Sequence, residues 1–323
     1  TERVRLHRRA ARALEAARQR GLPATAAEIA SHHTLGREYA EAVRHYGAAA
    51  EAALGRYAPQ EALQLTDQAL ALLPHLADGE ARLEAELGLV ATRGVAHGLL
   101  EGIAAPQTAE AFARVTALCD RLPPTPSRAL LLNGVGWSLL TRCEYEQALA
   151  VTRRVQAVAD RFTDPVLEIF ACNLAGVTLA NLGRFDEACV AMQRGLALCE
   201  REGARLAKTS FYVDPQSSMY ANIALPLAQR GRVEEARAMV LQALERTARA
   251  PQPMARLVAD WARCLLAVRL DEVEAASRNW QPAPPSSRRT GRRCGSAAGS
   301  RCAAAGRPRA MHSSAAATPC TTR

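Results

Sequence analysis

The chain has 323 residues, 49% hydrophobic but only 4% aromatic, with 41 basic and 32 acidic side chains and a net charge of +9. So few aromatics amid abundant alanine, leucine and arginine exclude a β-sandwich and suit helices with small interfaces. No run of 18 apolar residues occurs, so the sequence offers no membrane span.

The charge is unevenly placed. Residues 275–323 hold nine arginines and no acid, which leaves 32 basic against 32 acidic residues in the rest. The high isoelectric point therefore belongs to the tail, and nucleic-acid binding by the body is not expected from charge.

The opening TERVRLHRRA lacks both a methionine and the apolar core of a signal peptide. Thr1 is accordingly read as a truncation point. Residues 1–20 predict one helix with a patchy stripe of Val4, Leu6, Ala10, Leu14 and Ala17. Arg3, Arg5, Arg8, Arg9, Arg12 and Arg18 lie between. They form either a solvated face or a basic face for a nucleic acid or a partner domain. Gly21 and Pro23 break the helix.

Short helices are expected over 24–33 and 37–54. His32 and His33 are neighbours on different helix faces, and His45 is expected elsewhere, so no shared metal ion is predicted. Further helices are expected over 57–73, ended by Pro74, then 78–98 and 108–121, with 103–106 a loop. Gly88, Gly94 and Gly98 weaken the second of these and mark close packing. Residues 123–126, PPTP, read as a rigid connector. Helices over 128–141 and 145–161 form a hairpin, with Trp137 in the core.

The stretch 165–200, PVLEIFACNLAGVTLANLGRFDEACVAMQRGLALCE, is the clearest unit. Val166, Ile169, Phe170, Leu174 and Val177 share one helix face. Phe185, Ala188, Cys189, Met192, Leu196 and Cys199 share another. Gly183 lies between them, where a helix ends in a residue of positive φ. After it, 201–216 is the longest gap in the pattern and holds the single lysine, Lys208, with Phe211, Tyr212 and Asp214. It reads as a structural insertion or a ligand-contacting loop. Helices follow over 219–230, with Pro226 inside, then 233–249 and 254–270.

After Val273 the pattern stops. Residues 278–323 contain almost no aliphatic side chain larger than alanine and cannot bury enough surface to order themselves. A frameshift near codons 272–280 of a GC-rich gene is one reading. A basic tail that binds RNA or DNA is the other.

The unit 165–200 resembles a degenerate tetratricopeptide repeat (TPR). Gly176 and Leu179 match the small and large positions of that family's first helix, Gly183 its turn, Phe185 its turn aromatic and Ala188 its closest helix contact. Met192 and Gly195 match the later aromatic and small positions. Cys172, Ala175 and Glu200 depart from the usual tryptophan, leucine and closing proline. The motif recurs: CEYEQA at 143–148, GRFDEA at 183–188 and GRVEEA at 231–236. Glu110-Ala111-Phe112 precedes these, and YAEA (39–42) and QEA (60–62) are weaker versions. Repetition of small anchors means stacked units. The packing anchors assigned are Ala111, Ala148, Gly176, Gly183, Ala188, Gly231 and Ala236.

Six helical cysteines (119, 143, 172, 189, 199 and 264) stand singly and read as small buried hydrophobes. Cys294, Cys302 and Cys320 in the tail lack metal-ligand spacing. A cytoplasmic, reducing location follows. Glu187, Glu234 and Glu235 follow turns at helix starts, where negative charge is favoured, so they read as capping charges.

A larger resemblance covers residues 1–270. RVRLHRRAARALEAA, EIASHHTLGREYAEAVRHYGAAAEAAL and YAPQEALQLTDQALALLP are similar to the region after the nucleotide-binding module of bacterial STAND-type signalling ATPases. So are GLLEGIAAPQTAEAFARVTALCDRL and YVDPQSSMYANIALPLAQRG. Those ATPases are fused to winged-helix activators, nucleotide cyclases or kinases. The resemblance implies repeats that sense an inducer or hold the ATPase inactive. No ATPase residue carries over, because no G-x-x-x-x-G-K-[ST] occurs.

The expectation is an all-α, TPR-like helical-hairpin solenoid over 23–272. Residues 1–22 would end a preceding domain, and 273–323 would be a disordered tail. The expected function is non-catalytic. The expected partner is a protein, the chain's own ATPase module or a small-molecule inducer, with no membrane and no cofactor. Nucleic-acid binding through the tail and first helix is the alternative.

Overall fold

Three features recur along the chain and set its architecture: a capped helix start, a tight left-handed turn, and a small residue where two helices meet. The computed structural model describes residues 2–206, 214–248 and 253–272. Among these every regular element is helical. They are α1 (Glu2–Gln19), α2 (Ala26–Leu35), α3 (Tyr39–Gly55), α4 (Pro59–Leu70), α5 (Glu80–Glu101), α6 (Pro106–Cys119) and α7 (Pro126–Thr141). Next come α8 (Tyr145–Phe162), α9 (Pro165–Asn181), α10 (Phe185–Arg201), the single turn α11 (Gly203–Leu206), α12 (Pro215–Gln229), α13 (Val233–Ala248) and α14 (Pro253–Arg269). The expected tail lies outside the described residues, as do Lys208, Phe211, Tyr212 and the three tail cysteines.

Several helices start earlier than periodicity alone suggests, at a cap followed by proline. Thr125 accepts from Arg128 N, Asp164 from Val166 N and Leu167 N, and Asp214 from Ser217 N. Pro126, Pro165 and Pro215 then occupy the first helical position, where a missing N–H costs nothing. Pro126 and Pro106 therefore begin helices; they do not belong to a connector and a loop. Pro74 lies within a 3-10 turn, Leu73–His75, after α4 has ended at Leu70. Thr25 and Glu28 form a reciprocal capping box at α2.

The turns share one geometry. Gly183 and Gly231 both have φ of +76°, and Arg37, Tyr57, Cys143 and Asp271 occupy the same region at 57–62°. In each, the next residue's N–H reaches back to the carbonyl five positions earlier, as from Arg184 to Leu179, Arg232 to Leu227 and Glu272 to Ala267. This satisfies carbonyls left open at the helix end.

No hairpin can bury its own apolar surface, so the hairpins stack. α9 touches α8, α10, α7 and α12, and α12 touches α10, α13, α9 and α14. Burial follows from this placement. α9 is buried nearly all round, through Leu167, Ile169, Cys172, Leu174 and Leu179. α10 and α13 bury one face each. First helices of neighbouring hairpins touch in four places (α3 with α5, α7 with α9, α9 with α12, α12 with α14), and they form the inner row of the array.

Candidate functional site

Of the seven residues assigned as packing anchors, Ala111, Ala148, Gly176, Ala188 and Ala236 lie within helices, and Gly183 and Gly231 lie between them. Ala148, Ala188 and Ala236 are fully buried, and Ala111 nearly so. A β-carbon at Gly176 would overlap Met192 on α10. Gly183 and Gly231 are in the turns. Gly94 meets Phe112, where a β-carbon would lie 2.9 Å from Cε1, while Gly88 has open space around it. Trp137 is half-buried and not sealed in the core.

The inner row carries amides. Asn133 on α7 stands three residues before Gly136, as Asn173 on α9 does before Gly176. Both are buried. Across the α9–α12 contact, Asn173 Nδ2 donates to Ser218 Oγ (3.2 Å), and Asn222 Nδ2 donates to Asn173 Oδ1 (3.1 Å) and Ser218 Oγ (3.3 Å). Asn133 Oδ1 is buried with no hydrogen-bond partner among the described residues. An acceptor left so costs about 1–3 kcal/mol unless something donates to it. Periodicity did not mark these amides, because they fall on the apolar face of their helices.

A second polar cluster joins α1, α2 and α3. Only Ala11 of α1 is buried, and polar contacts hold the helix. Arg8 Nε donates to Gly36 O at 2.7 Å, and Arg12 reaches Glu38. His7 and His32 meet through their Nδ1 atoms at 3.0 Å. Sequence spacing sets His45 apart from His33; the fold does the opposite. The turn at Arg37 folds α3 back on α2, and the two rings stack with centroids 5.4 Å apart. Glu15 Oε1 lies 2.7 Å from His45 Nε2 and 3.3 Å from His33 Nε2. His33 Nδ1 lies 2.9 Å from Glu38 Oε2. Burial alone would raise the Glu15 carboxyl, but its hydrogen bonds to His45 and His33 outweigh this and hold it below the ordinary value. Burial lowers the His45 imidazole, against the opposing pull of Glu15.

Burial pushes the Cys172 thiol up to about 11 and that of Cys199 to about 12. Cys119 and Cys189 are also buried and raised. Cys143 and Cys264 are exposed, unlike the small buried hydrophobes that the helical cysteines read as in sequence. Cys143 occupies a turn, and Cys264 the outward side of α14. The acids after the turns pair locally, Glu187 with Arg184 and Glu235 with Arg232, and these hydrogen bonds lower both carboxyls.

No model of a known protein family and no curated protein matches the chain. Solved structures do match in fold. BtubC (BKLC) from P. vanneervenii superposes with a TM-score of 0.53 at 16% identity, over 89% of this chain and 96% of that one. RapI in its apo form gives 0.52 at 12%, over 78% and 68%. NprR in complex with its cognate peptide NprX gives 0.51 at 13%, over 79% and 72%. The hairpins, their turns and these similarities define a TPR-like α-solenoid.

Proposed function

We propose that the chain is a non-catalytic binding region that holds a segment of a protein partner along the inner row of first helices. The observation that carries this is the row of amides, above all Asn133 with its unpaired Oδ1. A bound N–H would remove the cost of that acceptor, and side-chain amides suit an extended backbone because they both donate and accept. NprR, of similar fold, is solved with a peptide, which is in keeping with this reading. The acids paired at the turns and the four buried thiols support a role without chemistry, since they are committed to turns and packing.

The wider context follows the sequence resemblance. We read residues 23–272 as the sensor solenoid of a cytoplasmic signalling ATPase or transcriptional regulator. Residues 1–22 then end the preceding domain, and 273–323 form a tail beyond the repeats. The partner is then the ATPase module itself, or a protein or small inducer that releases it. No described helix is long and apolar enough to cross a membrane.

Selection of displayed peptides on the full chain tests the binding reading. Peptides that bind wild type are expected to lose roughly tenfold or more with Asn222→Ala or Asn133→Ala, as for loss of one to two hydrogen bonds. Binding unchanged by both substitutions would move the site off the row. Calorimetry with ATP should show no binding, and a micromolar Kd would overturn the non-catalytic reading.

A further inference from the structure

We infer that Glu15, His33 and His45 form a binding site for a divalent transition-metal ion of the zinc type, which cross-links α1 to α2 and α3. One ligand atom from each of the three residues can be chosen so that all lie within 4.8 Å of one another. Each residue comes from a different helix, so the set exists only in the folded chain. Two imidazoles and one carboxylate are a donor set that suits zinc, with the fourth position left to water.

The hydrogen-bond pattern favours the same reading. Glu38 can only accept when ionised, so His33 Nδ1 carries the proton on that side. In the neutral ring, His33 Nε2 then presents its lone pair toward Glu15 Oε1. Two acceptors facing each other need a proton or a cation between them. A carboxylate behind the far ring nitrogen is also the usual support of a metal-bound histidine, since it fixes the tautomer and raises the basicity of the ligand. Both rings are nearly buried, and Glu15 is only partly exposed.

Arg44 is the group that opposes the ion. Its Nη2 lies 3.0 Å from His45 Nε2 and 3.5 Å from Glu15 Oε1. The side chain is 61% exposed and also bonds to Glu41, so it can swing away at little cost. Arg8 and Arg12 neutralise Glu38 from outside. With so little apolar burial on α1, a bound ion would be its strongest tie to the repeats.

Cobalt(II) titration of the full chain under reducing conditions tests this. The expected product is one tetrahedral ion with nitrogen and oxygen ligands and no thiolate charge-transfer band. The last point separates it from a site built on cysteines. Glu15→Gln, His33→Gln and His45→Gln should each abolish that spectrum. Glu38→Gln should weaken binding about 10–100-fold. Arg44→Ala should tighten it, an effect that mere structural damage does not produce. If a histidine variant fails to fold by circular dichroism, Glu38→Gln and Arg44→Ala decide, because both leave the rings in place. Absence of the spectrum in wild type, its persistence in folded His45→Gln, or unchanged or weaker binding in Arg44→Ala would overturn the site.

Discussion

Gly176 on α9 packs directly against Met192 on α10, a side chain with no exposed surface, and a β-carbon at 176 would overlap Met192 Cγ. The two helices can approach this closely only because one of them lacks a side chain at that point. Gly176→Ala is therefore expected to destabilise the chain by about 1–3 kcal/mol through overpacking, despite alanine's better helix propensity. Urea denaturation measures this. In the double variant Gly176→Ala/Met192→Ala the two costs should fall short of additivity, since Met192→Ala removes the clash made by Gly176→Ala and the added methyl fills part of the cavity left by Met192→Ala.

Cys143 occupies the turn position that glycine holds at 183 and 231, with φ of +62°. A side chain in that region costs about 1–2 kcal/mol. Cys143→Gly should raise stability by up to about 1 kcal/mol, since glycine's larger unfolded entropy offsets part of the relief. Gly183→Ala should lower stability by a similar amount. Equal stability of Cys143→Gly and wild type would show that the surrounding turn has relaxed the strain.

The raised thiols predict a sharp division in reactivity. Near neutral pH an alkylating reagent should label Cys143 and Cys264 quickly. Cys119, Cys172, Cys189 and Cys199 should resist until denaturant is added, because burial disfavours their thiolates. Peptide mass mapping separates these sites from the tail cysteines. Rapid native labelling of Cys172 would mean that α9 opens.

Asp214 caps α12 and pairs with Arg246 on α13 at 2.7 Å. Burial raises its pKa, but the Arg246 and Ser217 hydrogen bonds overcome this and leave the carboxyl below its usual value. The folded-state pKa thus lies below the unfolded one, about 3.9. Its stabilisation is complete above the unfolded value and is lost as pH falls through the folded value. Asp214→Asn keeps a capping side chain but loses the charge. It should cost about 0.5–1 kcal/mol at neutral pH, given the partial exposure of Arg246. The gap from wild type should close in acid, which thermal melts across pH would show. A pH-independent gap would assign the loss to capping.

Much of the fold is legible residue by residue. The 3.6-residue pattern in 165–200 marks α9 and α10; Gly183 marks the turn between them, and Gly231 the turn between α12 and α13. The turns at Tyr57, Cys143 and Asp271 are harder to read, because ordinary residues there adopt a conformation that packing enforces. Proline is ambiguous in sequence, since at 126 and 215 it starts helices while at 226 it lies within one.

The local pattern alone determined that this chain is a succession of helical hairpins, because helix periodicity, capping residues and glycine turns act over a few residues. The tertiary structure decided which polar groups meet. Glu15, His33 and His45 are 12 to 30 positions apart, and Asn173 and Asn222 are 49 apart. Only the stacking of successive helices, driven by apolar faces that no single hairpin can bury, brings them within hydrogen-bond distance.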